Sequence, residues 1–339
     1  MPQRSLTYLL LLALITTACS NSEPAVVPPS VDDADAPYFT PEPPPSYRFD
    51  GLRVGTLNTE FMFDGEGDEG QATFAHKGDP ELSKAHRAKI GEAVQMLDVD
   101  VLMLQEVENQ NALDLLIEET LGDQGYTGYF IEGRDSFTGQ DIALLSRIPA
   151  DTLWRTNERV NVGTTQRTYG VSKNLVVRMM LGDVPTTLIG LHFLSRPDDV
   201  ERKPRREAQA EVIRRVVEAE HDAGRAVIAL GDFNDFDDAT PDRSGNAPIT
   251  DVLSMIKSAG PSADDDLVNV MADVPQIERF TAFYDRNRNG VVQSGELSAI
   301  DHILLSPTLY RSVREVQFVQ AYDPNTYTDH FPIVVTLDL

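Results

Sequence analysis

The sequence has almost no cysteine. Cys19 is the single one in 339 residues, so the chain cannot form an internal disulfide. Disulfide-rich secreted scaffolds are therefore excluded. The chain is 41% hydrophobic and long enough to bury a sizeable core, as one large α/β domain or two smaller ones. We therefore expect core packing, aided by any bound metal, to hold the fold together.

Positive charge is also scarce. Lys and Arg number 29 against 54 Asp and Glu, which gives a net charge of −25. A chain of this charge repels a polyanion over long range, which argues against a nucleic-acid binder that relies on backbone charge alone. An enzyme that meets phosphate groups through divalent cations remains compatible with it.

The apolar run near the N-terminus, Leu6 to Ile15, is too short to cross a bilayer as a helix. It follows the basic start Met1 to Arg4 and precedes Thr16-Thr17-Ala18-Cys19, as in a secretory signal with a lipobox-like end. We predict a signal peptide over residues 1–18 and a lipidated N-terminus at Cys19. That predicts an exported bacterial lipoprotein, held on the outer membrane or cell surface by its lipid. The alternative is an ordinary secretory signal with an unused cysteine, and a periplasmic or extracellular protein.

Residues 20–47 form a Pro- and Asp-rich segment with eight prolines in 28 residues. This composition predicts an extended, semi-rigid spacer. Residues 48–339 are then expected to form the enzymatic domain.

After this spacer, strand-like and helix-like patterns alternate, which is typical of a layered α/β fold. Strands are predicted at 52–57, 99–104, 142–145, 175–180, 187–191, 226–230, 300–305 and 333–337, and helices at 83–97, 111–121 and 205–221. Several apolar strands are followed at once by polar residues, namely Asn58, Glu106, His192, Asp232 and Asn234. Because sites are commonly built where strands end, we expect these side chains to form one.

The sequence lacks three motifs of other enzyme classes: a G-x-S-x-G serine, a glycine-rich phosphate loop, and a cysteine or histidine zinc arrangement. Their absence leaves fewer reaction types to consider. Two carboxylates offer hard oxygen ligands for magnesium, manganese or calcium, two amides suit phosphate oxygens, and two imidazoles can move protons near neutral pH. These groups belong to Glu106, Asp232, Asn58, Asn234, His192 and His330. Metal-assisted attack by water is the chemistry that they favour.

Seven short motifs follow one another within residues 52–339. They are LNTEFMF at 57–63, LQEVEN at 104–109, GQDIALLSR at 139–147, HF at 192–193, GDFN at 231–234, IDHIL at 300–304 and TDHFPI at 328–333. In this order they resemble the endonuclease/exonuclease/phosphatase superfamily, which includes deoxyribonuclease-I-like enzymes. The resemblance implies an α/β fold, a four-layer α/β/β/α sandwich of two mixed sheets flanked by helices, with the site at one end.

The resemblance also implies roles for the metal-binding and histidine groups. Glu106 would bind the catalytic Mg²⁺ or Mn²⁺, with Asn58 and Asp329 close to it. His330 would act as a general base or stabilise the phosphoryl group, held in its tautomer by Asp301.

Three further groups receive roles in the same way. Asp232 and Asn234 would orient the attacking water or protonate the leaving oxygen, and would contact phosphate. His192 would stabilise charge on the phosphoryl oxygens. A metal with fixed donors suits the anionic transition state of a phosphodiester.

Basic side chains elsewhere are open to two interpretations. Arg134, Arg167 and Lys173 either contact substrate phosphates or are simply solvated. The run Arg202 to Arg206 is either a nucleic-acid patch or the solvated start of a helix.

The function favoured by these residues is an exported, divalent-metal-dependent phosphoesterase that hydrolyses phosphodiester bonds by in-line attack of water, as a nuclease with nucleic acid as substrate. Function does not follow from fold alone. One alternative is therefore a phosphatase or lipid phosphodiesterase of the sphingomyelinase or inositol-phosphate type. Another is a non-catalytic, calcium-dependent surface binding protein. No protein partner can be inferred from the sequence.

The segment 285–296 matches the twelve-residue calcium loop of an EF-hand. Its candidate ligands are Asp285, Asn287, Asn289, Val291 through its carbonyl, Gln293 and Glu296, with Gly290 at the sharp turn. Only two of the ligands are acidic, and Arg286 and Arg288 offset them, so we expect a weak Ca²⁺ affinity of roughly 10⁻⁴–10⁻³ M. The alternative is a hairpin turn at Asn289-Gly290 without an ion.

The flanks of this loop differ from those of an EF-hand. Patterns at 279–284 and 300–304 predict strands instead of helices. We therefore expect Ca²⁺ to brace a hairpin of the sandwich that delivers Asp301, and not to act as a paired EF-hand switch.

Overall fold

The computed structural model describes residues 51–260 and 262–339. The predicted signal peptide, Cys19 and the predicted spacer at 20–47 lie outside the described residues and stay predictions. Across the two described ranges, no helix is both long enough and apolar enough to span a bilayer.

In these ranges the chain forms two six-stranded mixed sheets and two short two-stranded ladders. The strands are β1 (Leu52–Met62), β2 (Val101–Val107), β3 (Thr127–Phe130), β4 (Asp141–Ser146), β5 (Ala150–Trp154), β6 (Val160–Asn161), β7 (Thr168–Tyr169), β8 (Lys173–Leu181), β9 (Val184–His192), β10 (Ala226–Asp232), β11 (Val268–Asn269), β12 (Ala282–Phe283), β13 (Leu297–Ser298), β14 (Asp301–Leu305), β15 (Val313–Phe318) and β16 (Ile333–Leu337). The first sheet has the order β15-β16-β1-β2-β4-β3, and the second has the order β11-β14-β10-β9-β8-β5.

The helices lie between these strands. They are α1 (Pro80–Leu97), α2 (Gln110–Leu116), α3 (Lys203–Asp222), α4 (Val252–Lys257) and α5 (Pro307–Tyr310). A π-helical turn, Ile117–Leu121, extends α2. Short 3₁₀ segments lie at Gly122–Gln124, Ala263–Asp265, Val270–Asp273, Gln276–Glu278 and Ser294–Glu296.

Buried apolar side chains stack these elements into layers. The two sheets face each other across a core that contains Met103 and Leu144 from the first sheet and Leu188 and Ile228 from the second. A second cluster joins the outer face of the first sheet to α1 and α2. A third joins the outer face of the second sheet to α3 and α4. Because each element buries its apolar face against a neighbour, the described chain forms the predicted α/β/β/α sandwich, and that prediction is confirmed.

The register of the strands explains where the site lies. β1 runs parallel to β2, and β9 runs parallel to β10, so the carboxyl ends of each pair meet at one edge of its sheet. Asn58 lies opposite Gln105, directly before Glu106. Asp232 lies between His192 and Asp301 on the two neighbouring strands.

The flanks of the predicted calcium loop require a correction. β12 and β13 form a two-stranded ladder, to which Ala282 adds one isolated bridge to His330, and they are not strands of the two six-stranded sheets. The predicted strand at 279–284 is reduced to Ala282–Phe283, and its backbone is tied to the 329–331 segment: Phe283 N–H donates to Asp329 O and Phe331 N–H donates to Thr281 O. The loop therefore closes a separate small hairpin, and the main-sheet strand β14 begins only after it.

Candidate active site

Side chains from both sheets meet at the strand ends. Asn58 Nδ2 lies 3.3 Å from Glu106 Oε1 and 3.3 Å from Asp232 Oδ2. His192 Nε2 lies 3.8 Å from Glu106 Oε1 and 3.4 Å from Asp232 Oδ2. Asn58, His192 and Asp232 are almost completely buried. Four of the sequence-predicted residues thus form one cluster that bridges the sheets.

A second group extends this cluster. His330 Nδ1 lies 2.8 Å from Asp301 Oδ2, as expected of a carboxylate that holds the ring tautomer. His330 Nε2 lies 3.8 Å from Asp329 Oδ1. Ligand atoms of Asp232, Asp301 and His330 all lie within 4.8 Å of one another. The structure therefore brings all the predicted catalytic and metal residues to one place, with Asn234 directly beyond Asp232.

The backbone near His330 is tied down on several sides. Thr328 Oγ1 donates to Asn58 O at 2.8 Å, which joins the segment to the end of β1. Tyr322 Oη donates to His330 O, and Ala282 bridges to His330. These bonds fix the backbone around His330, so the position of its main chain does not depend on the contacts of the imidazole.

Left-handed backbone conformations cluster at the site. Glu60, Phe61, Glu106 and Asn234 have φ values of 48°, 67°, 65° and 48°. Such conformations cost about 1–3 kcal/mol each and persist where surrounding contacts impose them. Here the site supplies those contacts: Phe61 N–H donates to Glu106 Oε2, and Asn234 N–H donates to Asp232 Oδ1.

The carboxyl groups are crowded and dehydrated. Burial raises the pKa of Glu106, which nearby Lys173 opposes, and burial with the charge of Asp301 raises the pKa of Asp232 to about 8. Burial also raises the pKa of Asp329.

The two imidazoles of the site shift in opposite directions. Burial alone would lower the pKa of His330, but Asp301 and the other acidic neighbours raise it well above its ordinary value. Burial lowers the pKa of His192 well below its ordinary value, so that imidazole is neutral.

This donor set fits a divalent cation. The oxygens are hard ligands of the kind that Mg²⁺ and Mn²⁺ prefer. Burial raises the pKa of Glu106 and of Asp329, and dehydrated carboxylates of this kind are stabilised by a nearby positive charge. The residues that would hold the ion are Glu106, Asn58 and Asp329.

Sequence reasoning assigned no role to Glu60, although it lies in the LNTEFMF motif. Its Oε2 accepts the N–H of Asp329 at 3.0 Å. Burial, followed by the charge of Asp329, raises its pKa to about 7. Glu60 lies two residues after Asn58 at a strand end, and that spacing is the signal that could have found it.

Of the basic residues left open by the sequence, Lys173 lies at the site. It is opposite His192 in the β8–β9 register, and its Nζ lies 3.2 Å from Asp135 Oδ2. Arg167 is exposed in the turn between β6 and β7. Arg206 is completely buried and donates to the carbonyls of residues 196 and 197, so the basic run at 202–206 is in part structural.

A groove lies beside the site. Its lining includes two arginines, two carboxylates and two aromatic rings, on Arg134, Arg159, Asp135, Glu158, Phe137 and Tyr169. Phe137 is 64% exposed, so its phenyl ring is accessible to a ligand in the groove. We call these residues the aromatic-basic groove. Asp135 connects it to Lys173 and therefore to the active site.

The model of the Endonuclease/Exonuclease/phosphatase family matches residues 55–330. None of the curated proteins compared with the chain matches it.

Solved structures share the fold at low sequence identity. The 3′ phosphatase NExo from Neisseria, bound to a product DNA hairpin, is 15% identical with a TM-score of 0.57, covering 85% of this chain and 100% of its own. An AP endonuclease from Archaeoglobus fulgidus is 14% identical with a TM-score of 0.56 and the same coverage. Humanized D. rerio TDP2 is 18% identical with a TM-score of 0.51, covering 85% of this chain and 99% of its own.

Proposed function

The chain belongs to the endonuclease/exonuclease/phosphatase family and is a hydrolase of phosphate esters, and from this premise we propose that it is a divalent-metal-dependent nuclease. The observation that carries the proposal is the joining of the Glu106–Asn58–Asp232 cluster to the His330–Asp301 pair. The arrangement combines hard oxygen ligands with a charged hydrogen-bond donor, which is the equipment for attack of water on a phosphodiester.

When bound by Glu106, Asn58 and Asp329, Mg²⁺ or Mn²⁺ would supply Lewis-acid polarisation of a phosphoryl oxygen. His330, which carries a proton because Asp301 accepts from its Nδ1, donates through Nε2 to a phosphoryl oxygen. Asp232 in its ionised form, which predominates above its pKa of about 8, orients the attacking water and accepts its proton. The water oxygen bonds to phosphorus, the ester P–O bond breaks, and solvent protonates the leaving oxygen.

The remaining polar groups position these reactants. Asn234 Nδ2 donates to Phe193 O at 3.2 Å, which fixes its side chain beyond Asp232. His192, neutral and buried, directs Nε2 toward Glu106 and Asp232. Because these donors are already in position, they stabilise the charge that develops in the transition state and need not reorganise during the reaction.

Nucleic acid is the proposed substrate because the aromatic-basic groove leads from Lys173. Phe137 and Tyr169 present rings on which bases can stack, and Arg134 and Arg159 present cations for the backbone. In a protein with a net charge of −25, local cations of this kind, together with bound metal, offset the long-range repulsion of a polyanion. NExo, of the same fold, was solved with a DNA hairpin.

The test is a substrate panel on the wild type and Phe137→Ala. With Mg²⁺ or Mn²⁺ we expect cleavage of plasmid DNA, single-stranded DNA or RNA, abolished by chelator. Loss of one stacking ring should lower kcat/KM for a single-stranded oligonucleotide by roughly 5- to 150-fold, because stacking on one base is worth about 1–3 kcal/mol. Hydrolysis of bis-p-nitrophenyl phosphate, which does not reach the groove, should be unchanged.

Leu82→Ala is the matched control, since Leu82 is an exposed apolar residue on α1. Faster turnover of sphingomyelin or inositol phosphates than of any nucleic acid would replace the nuclease with the lipid phosphodiesterase or phosphatase. An equal effect of Phe137→Ala on both substrates would refute the role of the groove.

We also propose that the protein is exported and anchored through Cys19. The support is the order of basic start, apolar run and small residues before this cysteine. In a bacterial host, the wild type should sediment with membranes and partition into detergent, whereas Cys19→Ser should appear in the soluble fraction with equal specific activity. Equal partitioning of both proteins into the soluble fraction would favour an ordinary secretory signal.

A further inference from the structure

The 285–296 segment is folded by hydrogen bonds to its own oxygen-bearing side chains, including one from Asn287 Nδ2 to Gln293 Oε1. Asp285 accepts from the N–H groups of Asn289 and Gly290, at 3.1 Å and 2.8 Å. Asn287 Oδ1 accepts from Asn289 N–H at 3.0 Å. These bonds fold the loop tightly around its first and third residues, but by themselves they would also suit a plain turn.

An independent observation comes from the other end of the loop. Glu296 is only 8% exposed. Its Oε1 accepts from the N–H groups of Arg286 and Asn287, which directs the carboxylate into the loop. Its Oε2 is buried and has no hydrogen-bond partner in ranges 51–260 and 262–339. A buried carboxylate oxygen without a partner is costly, and a cation at this point would remove that cost.

The identity of the cation follows from the donors. The twelfth residue of a calcium loop binds through both carboxylate oxygens, and Glu296 occupies that position. The other oxygens would come from the Asp285 carboxylate, from the amides of Asn287, Asn289 and Gln293, and from the backbone carbonyl of Val291. Flexible coordination by many oxygens suits Ca²⁺, whereas Mg²⁺ demands a small octahedral site and keeps several waters.

We propose that residues 285–296 bind a structural Ca²⁺, separate from the catalytic metal, that positions the His330–Asp301 pair. On the N-terminal side, Ala282 bridges to His330, and Phe283 N–H donates to Asp329 O at 2.8 Å. On the C-terminal side, the chain passes through β13 and reaches Asp301, whose N–H donates to Thr281 Oγ1 at 3.0 Å. An ion that closes the loop therefore fixes both segments that carry the pair.

Binding is tested with Glu296→Gln, which keeps the shape of the side chain but removes its charge. Calorimetric titration of Ca²⁺ into wild type at saturating Mg²⁺ should show one site with a Kd of roughly 10⁻⁴–10⁻³ M. At 10 mM Ca²⁺ the folded-to-unfolded ratio should rise about 10- to 100-fold, read from thermal unfolding. Glu296→Gln should lose both effects, and Glu118→Gln, at an exposed position in the π-helical turn after α2, should keep them.

A second variant locates the ion. Glu106→Gln, which disrupts the catalytic metal site, should still bind Ca²⁺ and still be stabilised by it. Binding that survives Glu296→Gln but is lost in Glu106→Gln would place the ion in the active site and overturn the proposal, as would no Ca²⁺ binding by the wild type. These measurements need no substrate, so they hold or fail independently of the proposed nuclease function.

The positioning role rests on the proposed function and is tested by turnover at fixed, saturating Mg²⁺. Low millimolar Ca²⁺ should raise the wild-type kcat several-fold with little change in KM, and should leave the kcat of Glu296→Gln unchanged. If Ca²⁺ stabilises the wild type but changes kcat equally in both proteins, the positioning role is refuted while the binding site stands.

Discussion

Glu106→Gln is expected to lower kcat/KM by about 10³-fold or more at saturating Mg²⁺, because a catalytic metal supplies several kcal/mol of transition-state stabilisation. The Glu106 carboxylate contacts several other residues of the site: Oε1 faces Asn58 and His192, and Oε2 accepts the N–H of Phe61. Glutamine keeps the length of the side chain but offers only one oxygen. The readouts are kcat/KM for oligonucleotide and for bis-p-nitrophenyl phosphate, together with calorimetric binding of Mg²⁺.

Loss of activity must be separated from loss of fold. Burial disfavours the charged form of Glu106, so its replacement by a neutral isostere should not lower the unfolding midpoint measured without metal. Glu118→Gln, the same chemical change at an exposed position, should retain full activity. Wild-type turnover by Glu106→Gln, or unaltered Mg²⁺ binding, would show that this residue is not the metal ligand.

Much of the fold could be predicted because its central strands have simple patterns. The predicted strand at 226–230 and helix at 205–221 extend by only a few residues, to Ala226–Asp232 and Lys203–Asp222. Edge strands such as β5 and β15 went unpredicted, because their residues are largely half-buried or exposed and lack a clean alternation of apolar and polar positions. The predicted helix at 111–121 is α-helical only to Leu116, where the backbone widens into a π turn.

The site itself was only partly predictable. Strand ends and motif order identify Asn58, Glu106 and Asp232, but long-range register decides which side chains touch. The pairing of β10 with β14 places Asp301 opposite Asp232, a relation between residues that are far apart in sequence. The left-handed backbone at Glu106 has no sequence signal either, since only surrounding contacts hold a glutamate in that conformation.

His330→Asn is expected to lower kcat by about 10²- to 10³-fold, the usual cost of removing one preorganised donor to charge that develops in the transition state. The choice of asparagine follows from the geometry. His330 Nδ1 lies 2.8 Å from Asp301 Oδ2, and an asparagine amide can donate from nearly the same point while offering nothing at the position of Nε2. In the variant, the Asp301 carboxylate still has a hydrogen-bond donor, whereas the phosphoryl oxygen loses the donor that His330 Nε2 supplies. Single-turnover kinetics at saturating Mg²⁺ measure the chemical step directly.

Two comparisons make this result specific. His330→Ala should lose similar activity but also stability, because it leaves the buried Asp301 carboxylate without its partner, and removing one member of a buried pair costs about 3–5 kcal/mol. His221→Ala, on the last turn of α3, should keep wild-type activity. A kcat within threefold of wild type for His330→Asn would assign the chemistry to the Asp232–His192 side of the site. A large fall in Mg²⁺ affinity with His330→Asn would instead make His330 part of the metal site, since its Nε2 lies only 3.8 Å from Asp329 Oδ1.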